Sequence, residues 1–134
     1  MKEKIQLNGK WEFIGAELYS GSKWVACERY VKGMTWDFHP QYFSPTKTIG
    51  CIIETTPTAN SVDLPYAYNI AEAKLKVEIY TDDARGMLDE TEADVYEVIP
   101  HADSTPDSPQ IYLSILTEHG CPPPYFRYLL RKIE

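Results

Sequence analysis

Apolar and polar residues alternate with a period of two along most of the chain. The clearest stretch is Lys74-Leu75-Lys76-Val77-Glu78-Ile79-Tyr80, where Leu75, Val77 and Ile79 fall on one face and Lys74, Lys76 and Glu78 on the other. That pattern predicts a half-buried strand. Met34, Trp36 and Phe38 alternate with Thr35, Asp37 and His39 and predict a strand with a bulky inner face. Leu64, Tyr66, Tyr68 and Ile70 predict a third, with Pro65 restricting it to an edge or strand-start role because proline has no N–H for a ladder. Further strands are expected over 10–19, 23–31, 48–55, 93–99, 110–117 and 125–133, nine at most. Between them lie Ser20-Gly21-Ser22, HPQYFSP, TTPTANS, HADSTPDSP and HGCPPP, which punctuate rather than extend. Asp82 to Glu92 has room for one short helix, and no longer helical period occurs.

An all-β chain of 134 residues has to protect its sheet edges, and it can do so as a closed antiparallel barrel or as a two-sheet sandwich. The two termini favour the barrel. NGKWEF opens the first strand and YFRYLLRKIE closes the chain with a strand. With an even number of strands, closure sets first and last antiparallel and brings Arg131 and Lys132 close to Trp11. The expected fold is a small antiparallel up-and-down β-barrel of about eight to nine strands, forming a single domain over residues 1–134.

Composition agrees with a globular chain: 43% of residues are hydrophobic and 25% charged, and ten tyrosines, four phenylalanines and three tryptophans suit strands. The net charge of −7 argues against a nucleic-acid partner, which requires clustered Lys and Arg. The acid is concentrated: Asp82 to Asp107 holds nine carboxylates and one arginine, leaving the rest of the chain nearly neutral. This is read as a solvated loop with its flanking strand, and its part from 82 to 94 is the candidate surface for a protein partner.

Cys27, Cys51 and Cys121 are odd in number and widely spaced, which fits free thiols better than a disulfide framework. MKEKIQLNGK carries no apolar signal region, and no segment approaches 18 apolar residues, so no transmembrane helix is expected. WVAC, residues 24–27, resembles a lipoprotein cleavage box but lacks the apolar stretch that must precede one. The expected location is cytoplasmic if Met1 is the natural start, and extracytoplasmic if the chain is a processed form.

Gly9-Lys10-Trp11 resembles the G-x-W that begins the first strand of lipocalins, the calycin-type barrels. The closest likeness is to short bacterial lipocalin-like domains, which open with L-x-G-x-W as Leu7, Gly9 and Trp11 do, and which tend to end in a strand bearing Tyr and Arg, like Tyr128 to Lys132. The resemblance implies that a cation from the last strand packs over Trp11 and closes the narrow end, a contact worth roughly 0.5–2 kcal/mol. Arg131 is the position carried over and Lys132 the runner-up. Gly9, Trp11 and Arg131 are thus the expected barrel-closing residues. The aspartate-bearing turn motif of larger lipocalins is not identifiable, so their receptor-binding roles do not carry over.

An eight-stranded barrel is just wide enough to be filled by its own side chains or to hold one small ligand. Trp36, Phe38, Tyr66, Tyr68, Leu113 and Tyr128 have inward parity and are the candidate cavity lining, the tyrosine hydroxyls being able to orient a partly polar ligand. The same six could instead fill the interior. Catalytic residues are not expected. His39, His101 and His119 sit beside proline-rich or acidic turns and form no spaced constellation, and no nucleophile elbow, metalloprotease helix or phosphate loop occurs. His119-Gly120-Cys121 offers two soft ligands where zinc needs three or four, and DDARGMLDETEAD does not fit a calcium loop, so no metal or cofactor is expected. Pro122-Pro123-Pro124 after Cys121 is read as fixing the entry angle of the last strand. The expected function is non-enzymatic binding of a small hydrophobic or amphipathic ligand in the barrel. The alternative is a self-filled barrel acting through its loops as an interaction or structural module.

Overall fold

The structure is a computed structural model that describes residues 5–79, 92–117 and 126–134. Among them are nine strands: β1 Gly9–Ser20, β2 Lys23–Cys27, β3 Thr35–Phe43, β4 Lys47–Thr55, β5 Ser61–Asn69, β6 Lys74–Ile79, β7 Glu92–Pro100, β8 Gln110–Thr117 and β9 Phe126–Lys132. Every neighbouring pair is antiparallel. The order is β2-β1-β3-β4-β5-β6-β7-β8-β9, with a further pairing of β1 and β9. Eight strands therefore close an up-and-down barrel, as the alternation and the two termini predicted, and β2 is the extra one. The helix expected in Asp82–Glu92 lies outside the described residues, except that Glu92 opens β7. Cys121 and the three prolines after it also lie outside them.

β1 is long enough to serve two partners on one edge. Gly9 to Glu12 pair with β3, and Ala16 to Ser20 pair with β2. The other edge runs along β9, with a register shift between Phe13 and Gly15. β3 extends to Phe43, past the point where HPQYFSP predicted a turn. Pro40 is accommodated by a second register shift, between Pro40 and Tyr42, so its missing N–H falls at a bulge. Gly50 stands opposite Pro40, and a Cβ there would overlap the carbonyl oxygen of His39. Pro65 sits inside the barrel wall rather than on an edge strand. Even so, the β5–β6 ladder runs from Tyr66 to Asn69, which leaves Pro65 at the end of the doubly paired stretch.

The alternation sorts side chains as expected. Trp11, Phe13, Trp36, Phe38, Ile52, Tyr66, Tyr68, Leu75, Val77, Tyr96, Val98, Ile111, Leu113 and Leu130 are buried in one core cluster. On the outside, Arg127 bridges several strands. Its Nε donates to Glu17 at 2.7 Å, and its guanidinium lies 4.1 Å from the Trp24 ring centre and 3.7 Å from that of Tyr112. This stack ties the supernumerary β2 to β8 and β9 across β1, a combination of ion pair and cation–π contact stronger than an exposed pair alone.

The two ends of the barrel are closed differently. Ile5, the first described residue, and the C-terminus lie at one end, with the connections over 44–46, 70–73 and 101–109. Here the N-terminal segment acts as a plug. The Tyr68 hydroxyl donates to the Ile5 carbonyl at 2.8 Å, the Trp11 indole Nε1 donates to the Leu7 carbonyl at 2.9 Å, and Leu7 is buried. Gly9, at φ +102°, lets the C-terminal backbone in: Lys10 N–H donates to the Glu134 carbonyl at 3.2 Å, where a Cβ on Gly9 would stand. The other end, called the far end below, carries the described connections over 21–22, 28–34 and 56–60.

Arg131 does not take the place over Trp11 that the resemblance implied. In the β1–β9 ladder Glu12 faces Arg131 and Trp11 faces Lys132. Arg131 stands on the outer wall and binds the Glu12 carboxylate at 3.1 Å, while Lys132, the runner-up, shares the inner parity of Trp11. Side chains alternate between faces, so a register offset of one residue is enough to exchange the two roles.

Candidate functional site

The barrel interior is not uniformly filled. From Phe38 towards the plug, Tyr66, Tyr68, Leu75, Ile111, Leu113 and Leu130 are buried together in the core cluster. Towards the far end a cavity of about 220 Å³ opens. Phe13 of β1, Trp36 of β3, Tyr96 of β7 and Tyr128 of β9 form its aromatic wall, and Met34, Leu64 and Val77 add aliphatic surface. Two carboxylates complete the lining: Glu54 of β4 and Asp94 of β7.

Strand register accounts for this grouping. Trp36 stands directly opposite Glu54 in the β3–β4 ladder, and Val77 directly opposite Asp94 in the β6–β7 ladder. Thr48, Gly50, Ile52 and Glu54 share one parity of β4, so the inner face that is apolar at Ile52 ends in a carboxylate near the rim. Asp94, Tyr96 and Val98 do the same on β7. The Trp36 indole Nε1 donates to Glu54 Oε2 at 2.7 Å, which holds the carboxylate against the ring. The Tyr96 hydroxyl lies 3.4 Å from Asp94 Oδ2, at the long end of hydrogen bonding.

The four rings make a closed circuit. Ring-centre separations are 5.1 Å for Phe13 and Trp36, 6.2 Å for Trp36 and Tyr96, 6.5 Å for Tyr96 and Tyr128, and 5.3 Å for Tyr128 and Phe13. Interplanar angles of 79°, 76°, 57° and 80° make these edge-to-face or tilted contacts, the arrangement ring quadrupoles favour.

Of the six candidate lining residues, Trp36 and Tyr128 line the cavity. Phe38, Tyr66, Tyr68 and Leu113 belong to the filled core below it. Burial pushes the tyrosine hydroxyls of both Tyr66 and Tyr68 up to about 12, as expected for phenols whose charged form has lost its water. Tyr68 is paired with Ile5, whereas the buried Tyr66 hydroxyl has no hydrogen-bond partner in the structure. Phe13, Met34, Glu54, Leu64, Val77, Asp94 and Tyr96 were not singled out from sequence. Carrying the alternation of Ile52 and Val98 two to four residues toward the far end would have placed Glu54, Asp94 and Tyr96 on the inner face.

A larger groove, about 500 Å³, lies outside the plugged end between the N-terminal segment, the 101–109 loop and β9. Pro100, Pro106 and Pro109, with Ser104, Thr105 and Lys132, give it a mixed wall. It has more volume but less enclosure by rings, and its nearest aromatic, Trp11, already donates to the plug. The far-end cavity is the better ligand site on chemical grounds.

Cys27 and Cys51 are free thiols, partly buried, and burial with the nearby Asp63 carboxylate pushes the Cys51 thiol up, away from the reactive thiolate. His39 lies 3.1 Å from Asp37 on the outer wall. Among the described residues no three His, Cys, Asp or Glu side chains gather as a metal site, and no helix is long and apolar enough to cross a membrane. The acidic stretch 82–94, proposed as a partner surface, lies outside the described residues up to 91, and His119 lies outside them as well. In comparisons with known proteins, no family model, no curated protein and no solved structure matches this chain.

Proposed function

We propose that this chain is a lipocalin-like carrier or sensor that holds one small amphipathic molecule in its far-end cavity, without chemistry of its own. The observation that carries the reading is the unequal filling of the barrel: packed and plugged at one end, with a ring-lined cavity at the other. The opening L-x-G-x-W and the pairing of first and last strands support the lipocalin comparison.

Size sets the scale of the ligand. The 220 Å³ cavity is smaller than the roughly 300–1,000 Å³ of drug-sized sites, so the ligand is compact. A molecule burying roughly 150–200 Å² of apolar surface, about one aromatic side chain, gains about 4–5 kcal/mol at 25 cal/mol per Å². Before any cost of immobilisation that corresponds to a Kd of about 1 mM. Apolar burial alone therefore gives weak binding, and useful affinity requires the polar groups in the wall to contribute.

Native mass spectrometry of protein purified gently from its own source, compared with its denatured mass, tests the proposal. Added mass that is lost on denaturation supports it and gives the ligand mass. Bare protein that also fails to take up small aromatic and aliphatic probes at millimolar concentration contradicts it and favours a barrel acting through its surface.

A further inference from the structure

Among the described strands β2 alone has a single neighbour: it pairs with β1, and its other edge faces no strand. β3 beyond Phe38 and β5 before Tyr66 also lack a second neighbour among the described residues. Those stretches carry Pro40, with a register shift beside it, and Pro65, devices that spoil an edge for further pairing. β2, Lys23-Trp24-Val25-Ala26-Cys27, has no proline, no bulge and one charged residue, at its end.

The hairpin fixes which groups this edge presents. Ser20 stands opposite Lys23 across the two-residue connection Gly21-Ser22, with Gly21 at φ +70°, so Ser20 and Lys23 exchange their backbone bonds and the ladder alternates from there. Lys23, Val25 and Cys27 thus turn their N–H and C=O groups to β1, while Trp24 and Ala26 turn theirs outward. No other backbone bond reaches those two among the described residues. The strand is also held in place: the Trp24 ring packs 5.2 Å from that of Tyr19 and 4.1 Å from the Arg127 guanidinium. An edge ordered in advance loses little freedom when a partner strand arrives.

We propose that this edge docks β2 of a second copy of the chain, antiparallel about a two-fold axis through Val25. The match is in the strand itself. Trp24 and Ala26 stand symmetrically about Val25, so Trp24 of each copy exchanges both backbone bonds with Ala26 of the other. Val25, 43% exposed, meets its own counterpart on the axis as a β-branched pair. Lys23 comes opposite the uncharged Cys27. The neighbouring symmetric registers are worse: centring on Ala26 brings Lys23 opposite Arg29, and centring on Trp24 sets against each other two indoles already stacked on Arg127. With its one charge at the end, the strand offers charge little hold for choosing a foreign peptide, whereas its register selects its own sequence. Five residues bury less than the roughly 800 Å² per partner of a standard interface, so dissociation at about ten micromolar or above is expected. None of this depends on whether the far-end cavity is occupied.

The test is sedimentation equilibrium of the full chain in reducing buffer, from about 10 µM to about 500 µM. The weight-average mass is expected to rise from near that of one chain towards twice that value. Ala26→Pro should hold it at one chain throughout and leave the unfolding midpoint of dilute protein unchanged, because the N–H it removes has no backbone partner within the described chain. Val25→Lys, which sets two cations on the axis at an exposed site, should do the same, and it decides the matter if Ala26→Pro fails to fold. Val25→Cys, oxidised at high concentration, should give a dimer linked between the two position-25 thiols. A non-hydrogen-bonded antiparallel pair brings Cα atoms to about 4.5 Å, within disulfide reach. A wild-type chain that stays monomeric across the range overturns the proposal. A dimer that survives Ala26→Pro and Val25→Lys also overturns it and moves the contact to another face. A dimer lost in those variants, but linked only through other cysteines in Val25→Cys, overturns the register.

Discussion

Trp11 and Trp36 face each other across the β1–β3 ladder, on the same inner face of the same sheet. Their indole N–H groups nevertheless serve opposite ends of the barrel. Trp11 donates to a backbone carbonyl of the N-terminal plug, is only 1% exposed, and adds to a seam where Ile5, Gly9, the C-terminal Glu134 and the Tyr68 hydroxyl meet. Trp36 donates to a carboxylate and lines empty space. The difference shows how one fold separates stability from recognition. The plugged end spends its aromatic and polar groups on one another, and the far end leaves rings and acids facing a cavity.

That contrast predicts where substitutions matter most. Trp11→Ala should cost about 3–5 kcal/mol, the range for losing a fully buried aromatic, and should lower the unfolding midpoint more than truncation of the half-buried wall residues Met34 or Leu64. If Trp11→Ala leaves the midpoint unchanged in a denaturant titration, the plug is not the stabilising end.

Alkaline titration should strike the packed layers next. The Tyr66 and Tyr68 phenols are held neutral up to about 12, whereas in the unfolded chain they ionise near 10. Between those values the unfolded state has released protons that the folded state retains, so stability falls as pH rises from about 10 to 12 and is unaffected by these groups below 10. The loss should approach roughly 2–3 kcal/mol per tyrosine, and the Tyr66→Phe, Tyr68→Phe double variant should flatten the unfolding midpoint over that interval. A slope unchanged by the double variant would assign the alkaline loss to other groups.

The two tyrosines should then be separable one at a time. Tyr68→Phe deletes the donor to the Ile5 carbonyl and should cost about 1 kcal/mol in chemical denaturation. Tyr66→Phe removes a buried hydroxyl with no partner and should be neutral or slightly stabilising. The reverse order would mean that Tyr66, not Tyr68, makes the bond that matters.

The smallest stability effect belongs to the cavity. Val77→Leu adds a methylene to a wall with space beside it and should change stability by less than about 1 kcal/mol while weakening ligand uptake. Leu113→Phe in the filled layers should cost about 1–3 kcal/mol by overpacking. Equal costs at the two positions would show that the far end is as tightly packed as the rest.

The strands were legible in the sequence wherever alternation was strict. β6, with Lys74, Lys76 and Glu78 outside, and β8, with Ile111, Leu113 and Ile115 inside, begin and end within a residue or so of expectation. β3 was read short because Pro40 normally stops a strand, and only the bulge opposite Gly50 lets the chain continue. Which of Arg131 and Lys132 shares the inner parity of Trp11 was out of reach, because the two are adjacent and the β1–β9 register, not composition, decides it. The two acids of the site were hidden for a different reason. Glu54 and Asp94 are charged, and a charged residue near a turn reads as a surface group. Their place on the inner face emerges only when parity is given precedence over polarity.

On the proposed function, ligand enters at Trp36 and not at Trp11. The three tryptophan indole N–H signals of the full chain, assigned by single substitution and followed by heteronuclear NMR during titration with a small aromatic probe such as phenol, test it most directly. A saturable shift of the Trp36 indole signal is expected, with the Trp11 signal moving far less and the Trp24 signal, stacked on Arg127 outside the barrel, not at all. A saturable shift of Trp11 with Trp36 stationary would place the ligand in the groove outside the plug and overturn the far-end cavity as the site.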